Sequence, residues 1–447
     1  MRNTFSSLLL IAALGACSPL AVHAQKPFSQ VPASERRLIE IQVAGSKRFP
    51  AADIATATGL ELGTPINEDD LKRAARRLGD TGVFTDVGYS YSYSSAGTKL
   101  QLKVTDADKF VPVRFEDFVW FTDDELLKRI KEHAPLFDGE LPLSGRLAEE
   151  VSDVLQGMLV EKAIPGNVDY VRSGPSDGPV NSIVYQISNV LIQIRNFEFQ
   201  GAAESDIPAL KAAAERLVGR EYSRATLNSL VQKQLLPVYY SRGYLKAEFG
   251  APAPKVVKSP STEDSNYDLR NLTVVDVTFP VVPGKQYKLT ALEWAGNHEL
   301  ATDQLQKMVK AEPGRPANTV GIVDNLKNIQ KLYSSRGYVT AAISPEMEFN
   351  DAAGTVAIQL NVKEGPIYHM GELEFRGLDN SLTAKLRNAW KIRPGDVYDA
   401  SYLDQYLPTA RKLLPPSLDW EVDPHVTANV GEKTVDVDLV YTVKAPK

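Results

Sequence analysis

The chain has 447 residues, of which 43% are hydrophobic and 24% charged, as in globular domains and unlike collagen, coiled coils or disordered chains. Its formal net charge is -6 and it has no basic block, so nucleic acid is excluded as an expected partner because phosphate binding needs clustered Lys and Arg. The one cysteine, Cys17, excludes an intrachain disulfide, and the five histidines lack ligand spacing. We therefore expect no metal and no cofactor.

Residues 1–24 are predicted to be a signal peptide. Arg2 supplies a positive start, the apolar run 8–16 is too short to span a bilayer, and cleavage before Gln25 fits the small residue at position 24. An alternative is that residues 14–17 form a bacterial lipobox, which would make Cys17 a lipidated N-terminus. Either interpretation predicts a periplasmic chain, free or held to a membrane by a lipid.

A repeated pair of glycines organises the rest of the sequence. In four copies a strand-like segment ends at a first glycine, and a second glycine follows eighteen residues later. A fifth copy keeps only the second glycine, Gly139. Identical spacings in four places indicate a tandem repeat. The pairs are Gly45 and Gly63, Gly201 and Gly219, Gly296 and Gly314, and Gly377 and Gly395.

Each copy is predicted to contain two helices. A short helix lies between the two glycines, and a longer amphipathic helix follows the second. We expect the first glycine to let the chain leave its strand and the second to form a left-handed helix cap. The faces of the longer helix are predicted from residues spaced by three or four: Ile322, Leu326, Ile329 and Tyr333 in the fourth copy, and Leu227, Val231, Leu235 and Val238 in the third.

The longer helix ends at a further glycine, followed by two strands. Gly82, Gly243 and Gly337 are predicted helix C-caps, the last two within the phrase Y-x-S-R-G-Y. The final strand alternates apolar and polar residues, as in 356–362. Each unit therefore reads β-α-α-β-β, an α+β fold with two helices on a three-stranded mixed sheet.

Five such units are predicted, with a Pro- and Ser-rich loop at 251–271 inside the third and with the second more divergent than the others. Their boundaries are 38–108, 109–190, 191–284, 285–365 and 366–447.

A unit of this order with a Gly-capped second helix and a closing V-x-E-G strand, here 360–365, resembles the POTRA (polypeptide-transport-associated) domain. Five in tandem are similar to the periplasmic arm of the outer-membrane protein assembly factor BamA. Proteins of that kind continue into a membrane barrel, whereas this sequence stops at Lys447, so the resemblance covers the arm alone. It implies transient binding of unfolded outer-membrane proteins or docking of assembly partners.

The resemblance also implies where binding occurs. In the family's fold the second strand lies at the sheet edge, where an extended peptide can pair with free main-chain groups. The predicted edges are 85–93, 167–172, 244–249, 338–343 and 418–422. The first carries an apolar stripe of period two that is a candidate client site or, alternatively, packs under the helices. Its residues are Val87, Tyr89, Tyr91 and Tyr93.

Catalysis finds no support in the sequence, because no nucleophile elbow, H-E-x-x-H or phosphate-binding glycine loop occurs. Arg242 and Arg336 follow helix ends and are predicted to support the caps. The favoured function is a non-enzymatic scaffold or chaperone-like accessory in outer-membrane protein assembly or polypeptide transport. Two alternatives stay open: a docking platform for one folded partner, and a sensor or ligand-binding module at the cell surface.

Overall fold

A computed structural model describes residues 28–258 and 272–444. The predicted signal peptide and Cys17 lie outside the described residues, as does most of the predicted loop 251–271. The chain divides into two compact units, with the boundary between Val190 and Leu191.

The N-terminal unit contains two mixed sheets and four α-helices among its described residues. The first sheet has the order β1-β3-β2 and the second β5-β4-β7-β6. The strands are β1 Leu38–Ala44, β2 Phe84–Ser94, β3 Gly97–Asp106, β4 Phe110–Phe115, β5 Glu140–Pro142, β6 Asn167–Ser173 and β7 Ser182–Ser188. The helices are α1 Ala51–Ala57, α2 Glu68–Asp80, α3 Asp123–His133 and α4 Leu147–Glu161.

The C-terminal unit contains three sheets in its described part, with the orders β10-β11-β8, β12-β14-β13 and β15-β17-β16. Its strands are β8 Leu191–Gln200, β9 Glu248–Phe249, β10 Ala253–Lys258, β11 Leu272–Val282, β12 Lys288–Ala295, β13 Ala342–Asn350, β14 Thr355–Lys363, β15 His369–Arg376, β16 Trp420–Asn429 and β17 Thr434–Val443. Its helices are α5 Ile207–Ala214, α6 Arg224–Leu230, α7 Leu236–Tyr240, α8 Thr302–Met308, α9 Thr319–Ser334, α10 Asn380–Ala389 and α11 Tyr402–Leu413.

One arrangement recurs in the sheets. A central strand pairs in parallel with the strand that opens the copy and antiparallel with the strand before it, as β14 does with β12 and β13. The mixed α+β class expected from the sequence is confirmed. The predicted apolar face of α9 is also confirmed, because all four of its residues are buried: Ile322, Leu326, Ile329 and Tyr333.

The first glycine of each pair lies against the central strand. These glycines have φ angles between 79° and 107°, a region that side chains disfavour. A Cβ at any of the four would lie 2.0 to 2.5 Å from a main-chain oxygen of the central strand. The sheet therefore requires glycine at these positions, in agreement with the prediction that the first glycine lets the chain leave its strand. The pairs are Gly45 with Val104, Gly201 with Val281, Gly296 with Val362, and Gly377 with Tyr441.

Three of the four second glycines are not helix caps, contrary to the prediction, whereas Gly219 directly follows Val218, the C-cap of the 3₁₀ turn that continues α5. Gly63, Gly314 and Gly395 lie five residues beyond the helix C-caps, which are Thr58, Val309 and Trp390. The four second glycines instead form turns in which the glycine N–H donates to a carbonyl of the first strand at 2.7 or 2.8 Å. In the copies of Gly63, Gly314 and Gly395 the first helix ends well before the second glycine, and the intervening residues return the chain to the sheet.

The turn after the second glycine brings a short segment alongside the first strand. Antiparallel bridges join Arg37 to Pro65 and Lys288 to Pro316, with equivalents in the other two copies. Gly139, the divergent copy's glycine, opens β5, which pairs antiparallel with β4. The same return to the sheet thus occurs in all five copies of the glycine phrase.

The predicted caps of the longer helix are confirmed. Gly82, Gly243 and Gly337 have φ angles of 80°, 84° and 90°. After two of these glycines the backbone N–H of a tyrosine completes the cap. Tyr244 N–H donates to the carbonyl of Tyr239 and Tyr338 N–H to that of Tyr333, both at 3.1 Å.

The longer helix of the third copy departs from its predicted face. A π-helical turn, Val231–Leu235, separates α6 from α7 and directly precedes Leu236-Pro237. The wider turn advances the buried face by one residue. Tyr239 is therefore fully buried and Val238 is only half-buried.

The two sheets of the N-terminal unit share one hydrophobic core. Arg48 spans them on the surface, because its guanidinium binds both carboxylate oxygens of Asp138 at 2.7 and 2.9 Å and Glu140 at 2.8 Å. The same guanidinium lies 3.8 Å from the centre of the Phe110 ring. The two sheets of the N-terminal unit, which meet near residue 109, are therefore packed against each other.

Candidate functional site: exposed sheet edges

The second strand of each copy lies at a sheet edge, as the resemblance implied. The predicted edges 85–93 and 167–172 lie within β2 and β6, whereas 338–343 and 418–422 overlap only the first residues of β13 and β16. The prediction for 244–249 is wrong, since only β9 lies there and the longer edge strand is β10. Pro252 and Pro254 made that segment resemble a loop, yet an edge strand tolerates proline because its outer N–H groups need no partner.

Each edge strand presents one row of side chains on the face of the sheet that carries the core. Residues opposite each other across two strands share a face, so the register identifies that row. On β13, Met347 lies opposite the buried Ile358 and Phe349 opposite the buried Val356. Met347 is nevertheless 40% exposed and Phe349 36%. The helices of this copy therefore leave the far end of β13 uncovered.

The edge strand β16 has the same character. Val426 lies opposite the buried Val437 and is 47% exposed. Beside this strand a groove of about 540 Å³ runs between α11 and β16. It is lined by Asp404, Leu407, Pro408, Arg411 and Lys412 of the helix and by Val422 of the strand.

The tyrosine stripe on β2 is not exposed in this way. Tyr89 and Tyr91 lie opposite Leu102 and Leu100, and all four residues of the stripe are half-buried against the core. The Phe28 ring also packs on Tyr91, with 4.7 Å between centroids. The stripe therefore packs against the core, which is the alternative interpretation. Client binding by the stripe stays a proposal.

We expect Tyr91→Ala to lower the free energy of unfolding of the N-terminal unit by about 2 kcal/mol, because the change removes a half-buried ring from the core. Urea unfolding followed by circular dichroism measures this. Tyr91→Phe keeps the ring and serves as the control. An alanine variant as stable as the wild type would contradict the packing role.

The exposed rows of β13 and β16 were missed by the sequence analysis. The alternation Ile343, Pro345, Met347, Phe349 was a usable signal, but the strand start was placed too early and proline obscured it. The exposure of the β13 row depends on how much of that strand α9 covers, and no local sequence pattern determines this.

A carboxylate at the end of the central strand fixes the chain after the first glycine. In the fourth copy one oxygen of Glu364 accepts the N–H groups of His298 and Glu299 at 2.7 and 2.8 Å and the Tyr333 hydroxyl at 3.0 Å. Burial raises the pKa of Glu364, but these hydrogen bonds outweigh it and hold the pKa below its usual range. Asp106 accepts the N–H groups of Lys47 and Arg48 in the same way.

The lowered pKa of Glu364 gives a stability that depends on pH. The contribution is complete above the unfolded-state pKa of about 4.3 and is lost as pH falls through the folded-state pKa. Glu364→Gln should therefore destabilise by roughly 1 kcal/mol at pH 7, after allowance for partial solvent exposure, and less below about pH 4. Thermal melts from pH 3 to 7 test this, with the exposed Glu293→Gln as control. An equal loss at both ends of the range would contradict the assignment.

The two arginines after helix ends join elements of one copy. Arg242 donates from Nε to the carbonyl of Val238 at 3.1 Å and binds Asp206, the N-cap of α5, at 2.6 Å. Arg336 binds Glu299 at 3.3 Å. These contacts give Arg242 the predicted cap role and both arginines a role in bracing the helix end against the first helix or the loop before it.

Within residues 28–258 and 272–444, no group of His, Cys, Asp and Glu is arranged to hold a metal ion. No helix in that part of the chain is long and apolar enough to cross a membrane.

Comparison with known proteins finds a family model that matches one segment of the chain. The POTRA family model, described as a surface antigen variable number repeat, matches residues 287–365. This segment of the chain is similar to a POTRA domain. It includes the capped helix α9 and the strands β13 and β14, so the edge with the exposed Met347 and Phe349 lies within the matched segment.

Relatives extend the similarity along the chain. The outer membrane protein assembly factor BamA of Nitratidesulfovibrio vulgaris is 20% identical over 386 residues, which covers 83% of this chain and 46% of that protein. A putative outer membrane protein assembly factor of Treponema pallidum is 26% identical over 163 residues, which covers 36% of this chain and 18% of that protein. The chain thus spans less than half the length of these curated relatives.

Among solved structures, the chain is similar to the crystal structure of Haemophilus influenzae BamA POTRA3-5. The two share 23% identity, with 57% of this chain and 97% of the other covered and a TM-score of 0.41.

Proposed function

We propose that the chain is a tandem array of five POTRA units, with the boundaries predicted from the glycine spacing, which acts in the periplasm in outer-membrane protein assembly. The family match at 287–365 and the names of the curated relatives support this role. The glycine turn that returns the chain to the sheet, present five times, supports the number of units. The role is that of a non-enzymatic scaffold.

The binding step we infer is β-augmentation at β13 and β16. An extended segment of an unfolded outer-membrane protein would pair its main chain with the outer edge of either strand. Main-chain pairing does not depend on the side chains of the client, which suits a protein that binds many clients. These two strands are nine and ten residues long, enough for several consecutive main-chain bonds.

The observation that carries this proposal is the exposed apolar row beside each edge. A client strand paired with β16 or β13 places alternate side chains on the same face as Val426 or Met347 and covers them. Covering such partly exposed side chains adds about 25 cal/mol for each Å² of apolar surface removed from water. The other edges offer less, because the apolar side chains in the equivalent rows on β2, β6 and β10 are half-buried already.

The groove beside β16 adds side-chain selectivity to this pairing. Leu407, Pro408 and Val422 supply its apolar lining, and Arg411 and Lys412 line it with two positive charges against the one negative charge of Asp404. A client strand with an apolar side chain facing the groove and an acidic residue nearby would fit both features.

Crosslinking in the envelope of the native cell, read by mass spectrometry, tests the function. A photocrosslinking residue at Val426 or Met347 should capture many unfolded outer-membrane proteins, and the same residue at the exposed Val160 should not. Capture of one folded partner at every position would favour the docking platform over the client-handling scaffold.

A further inference from the structure

The side-chain row on β2 is covered by a segment of the chain that belongs to neither the sheet nor its helices. Phe28 and Val31 are each 4% exposed and join the core of the N-terminal unit. The Phe28 ring lies 4.7 Å from the ring of Tyr91 and 6.0 Å from that of Tyr93. The equivalent rows on β13 and β16 carry exposed side chains.

The surface that Phe28 covers is the apolar row of β2 beside α2, and we refer to this surface as the groove. Glu68 and Lys72, in the first two turns of α2, lie close enough to Tyr91 to influence its ionisation, and burial together with Glu68 raises the pKa of that hydroxyl. The floor is the aromatic stripe itself, and α2 forms one wall. Phe28 therefore packs on the edge strand that α2 also contacts.

The segment in the groove is a turn, not a strand. Residues Phe28–Gln30 form a 3₁₀ turn in which the Val31 N–H donates to the Phe28 carbonyl at 3.2 Å. Phe28 and Val31, three residues apart, thus lie on one side of the turn. The segment contributes side chains to the groove and adds no strand to the edge of β2.

The chain after the turn is fastened independently of the groove. The carbonyl of Glu35 accepts the Thr98 hydroxyl, that of Arg36 accepts the Ile66 N–H, and that of Arg37 accepts the Thr98 N–H, at 2.8 to 3.0 Å. The turn can therefore leave the groove without releasing β1. It acts as a tethered occupant.

We propose that the groove between α2 and β2 is a binding site for a short turn that carries an aromatic side chain and, three residues later, an aliphatic one. In this structure residues 28–31 fill it, and a client or partner segment with the same spacing competes with them. This site recognises side chains, whereas β13 and β16 pair with the main chain of a client. The proposal is therefore independent of client pairing at β13 and β16.

The tether sets the strength of the competition. A short flexible link holds its attached group at an effective concentration in the millimolar range. A free segment of equal intrinsic affinity therefore binds the wild-type chain only when it reaches similar concentrations. Removal of the Phe28 and Val31 side chains ends this competition. A free segment then binds the groove at micromolar rather than millimolar concentration.

A peptide with the sequence of residues 26–33, KPFSQVPA, labelled with a fluorophore, is the probe. Fluorescence anisotropy with the full chain carrying Phe28→Ala and Val31→Ala should give at least a tenfold higher affinity than with the wild-type chain. A peptide with alanine at both anchor positions should bind neither. Equal affinity for the two chains, or no binding to a double variant whose melt shows a folded N-terminal unit, would overturn the proposal.

A second measurement covers the case in which the double variant unfolds. The wild-type chain titrated with the unlabelled peptide to several millimolar should show saturable chemical-shift changes on Tyr91 and Tyr93. The alanine peptide should leave those signals in place. Absence of saturable change with the native peptide would also overturn the proposal. Client binding at β13 and β16 is measured separately, so either result leaves it untouched.

Discussion

Gly377→Ala should lower the free energy of unfolding of the C-terminal sheet by about 4 kcal/mol. The added Cβ would lie 2.0 Å from the main-chain oxygen of Tyr441 at a φ of +79°. The neighbouring atom is backbone in the central strand β17, so it cannot move without breaking the pairing with β15 or β16. Urea unfolding followed by the fluorescence of Trp390 and Trp420 reports on this sheet, because both indoles lie in its core cluster.

Gly395→Ala is the matched control. Gly395 has an equally unusual φ of +89°, but no atom lies within 4 Å of the position its Cβ would take. We expect a loss of only about 1 kcal/mol, the conformational penalty alone. Equal losses for the two variants would contradict the claim that the first glycine is required by contact with the central strand.

A variant with Met347→Glu and Val426→Glu should bind an unfolded outer-membrane protein at least about tenfold more weakly than the wild type, a difference of about 1.4 kcal/mol or more. Each change places a charge in the exposed row that a paired client strand would cover. Both positions are on the surface, so the melting temperature should change little. Anisotropy with a labelled client peptide measures the affinity.

Val160→Glu is the control for this variant, because Val160 is 68% exposed on α4 and lies on no edge strand. It adds a negative charge at a comparably exposed apolar residue. If the control weakens client binding as much as the double variant, charge alone is responsible and the edges are not the site.

Much of the fold could be predicted because it depends on local rules. The glycine spacing located the strand exits, the Y-x-S-R-G-Y phrase located the helix caps, and alternation in 356–362 located a central strand. These signals act over a few residues, where conformation and burial follow from the side chains themselves.

The errors arose where tertiary contacts decide. The second glycines form turns because their N–H groups donate to a strand residue twenty-five positions earlier in the chain, a pairing that no helix pattern contains. The strand β10 was read as a loop because of its prolines, although an edge position accommodates them. The burial of Tyr91 depends on Phe28, some sixty residues away in sequence.

Backbone hydrogen exchange of the full chain, with and without an unfolded outer-membrane client, measures whether the client pairs with β13 and β16. We expect the client to slow exchange of outward-facing amides in these two strands, because main-chain pairing protects the amides that pair. Amides in the central strands β14 and β17 should be unchanged. Protection confined to helix surfaces, or a bound client that protects no edge-strand amide, would contradict β-augmentation at β13 and β16.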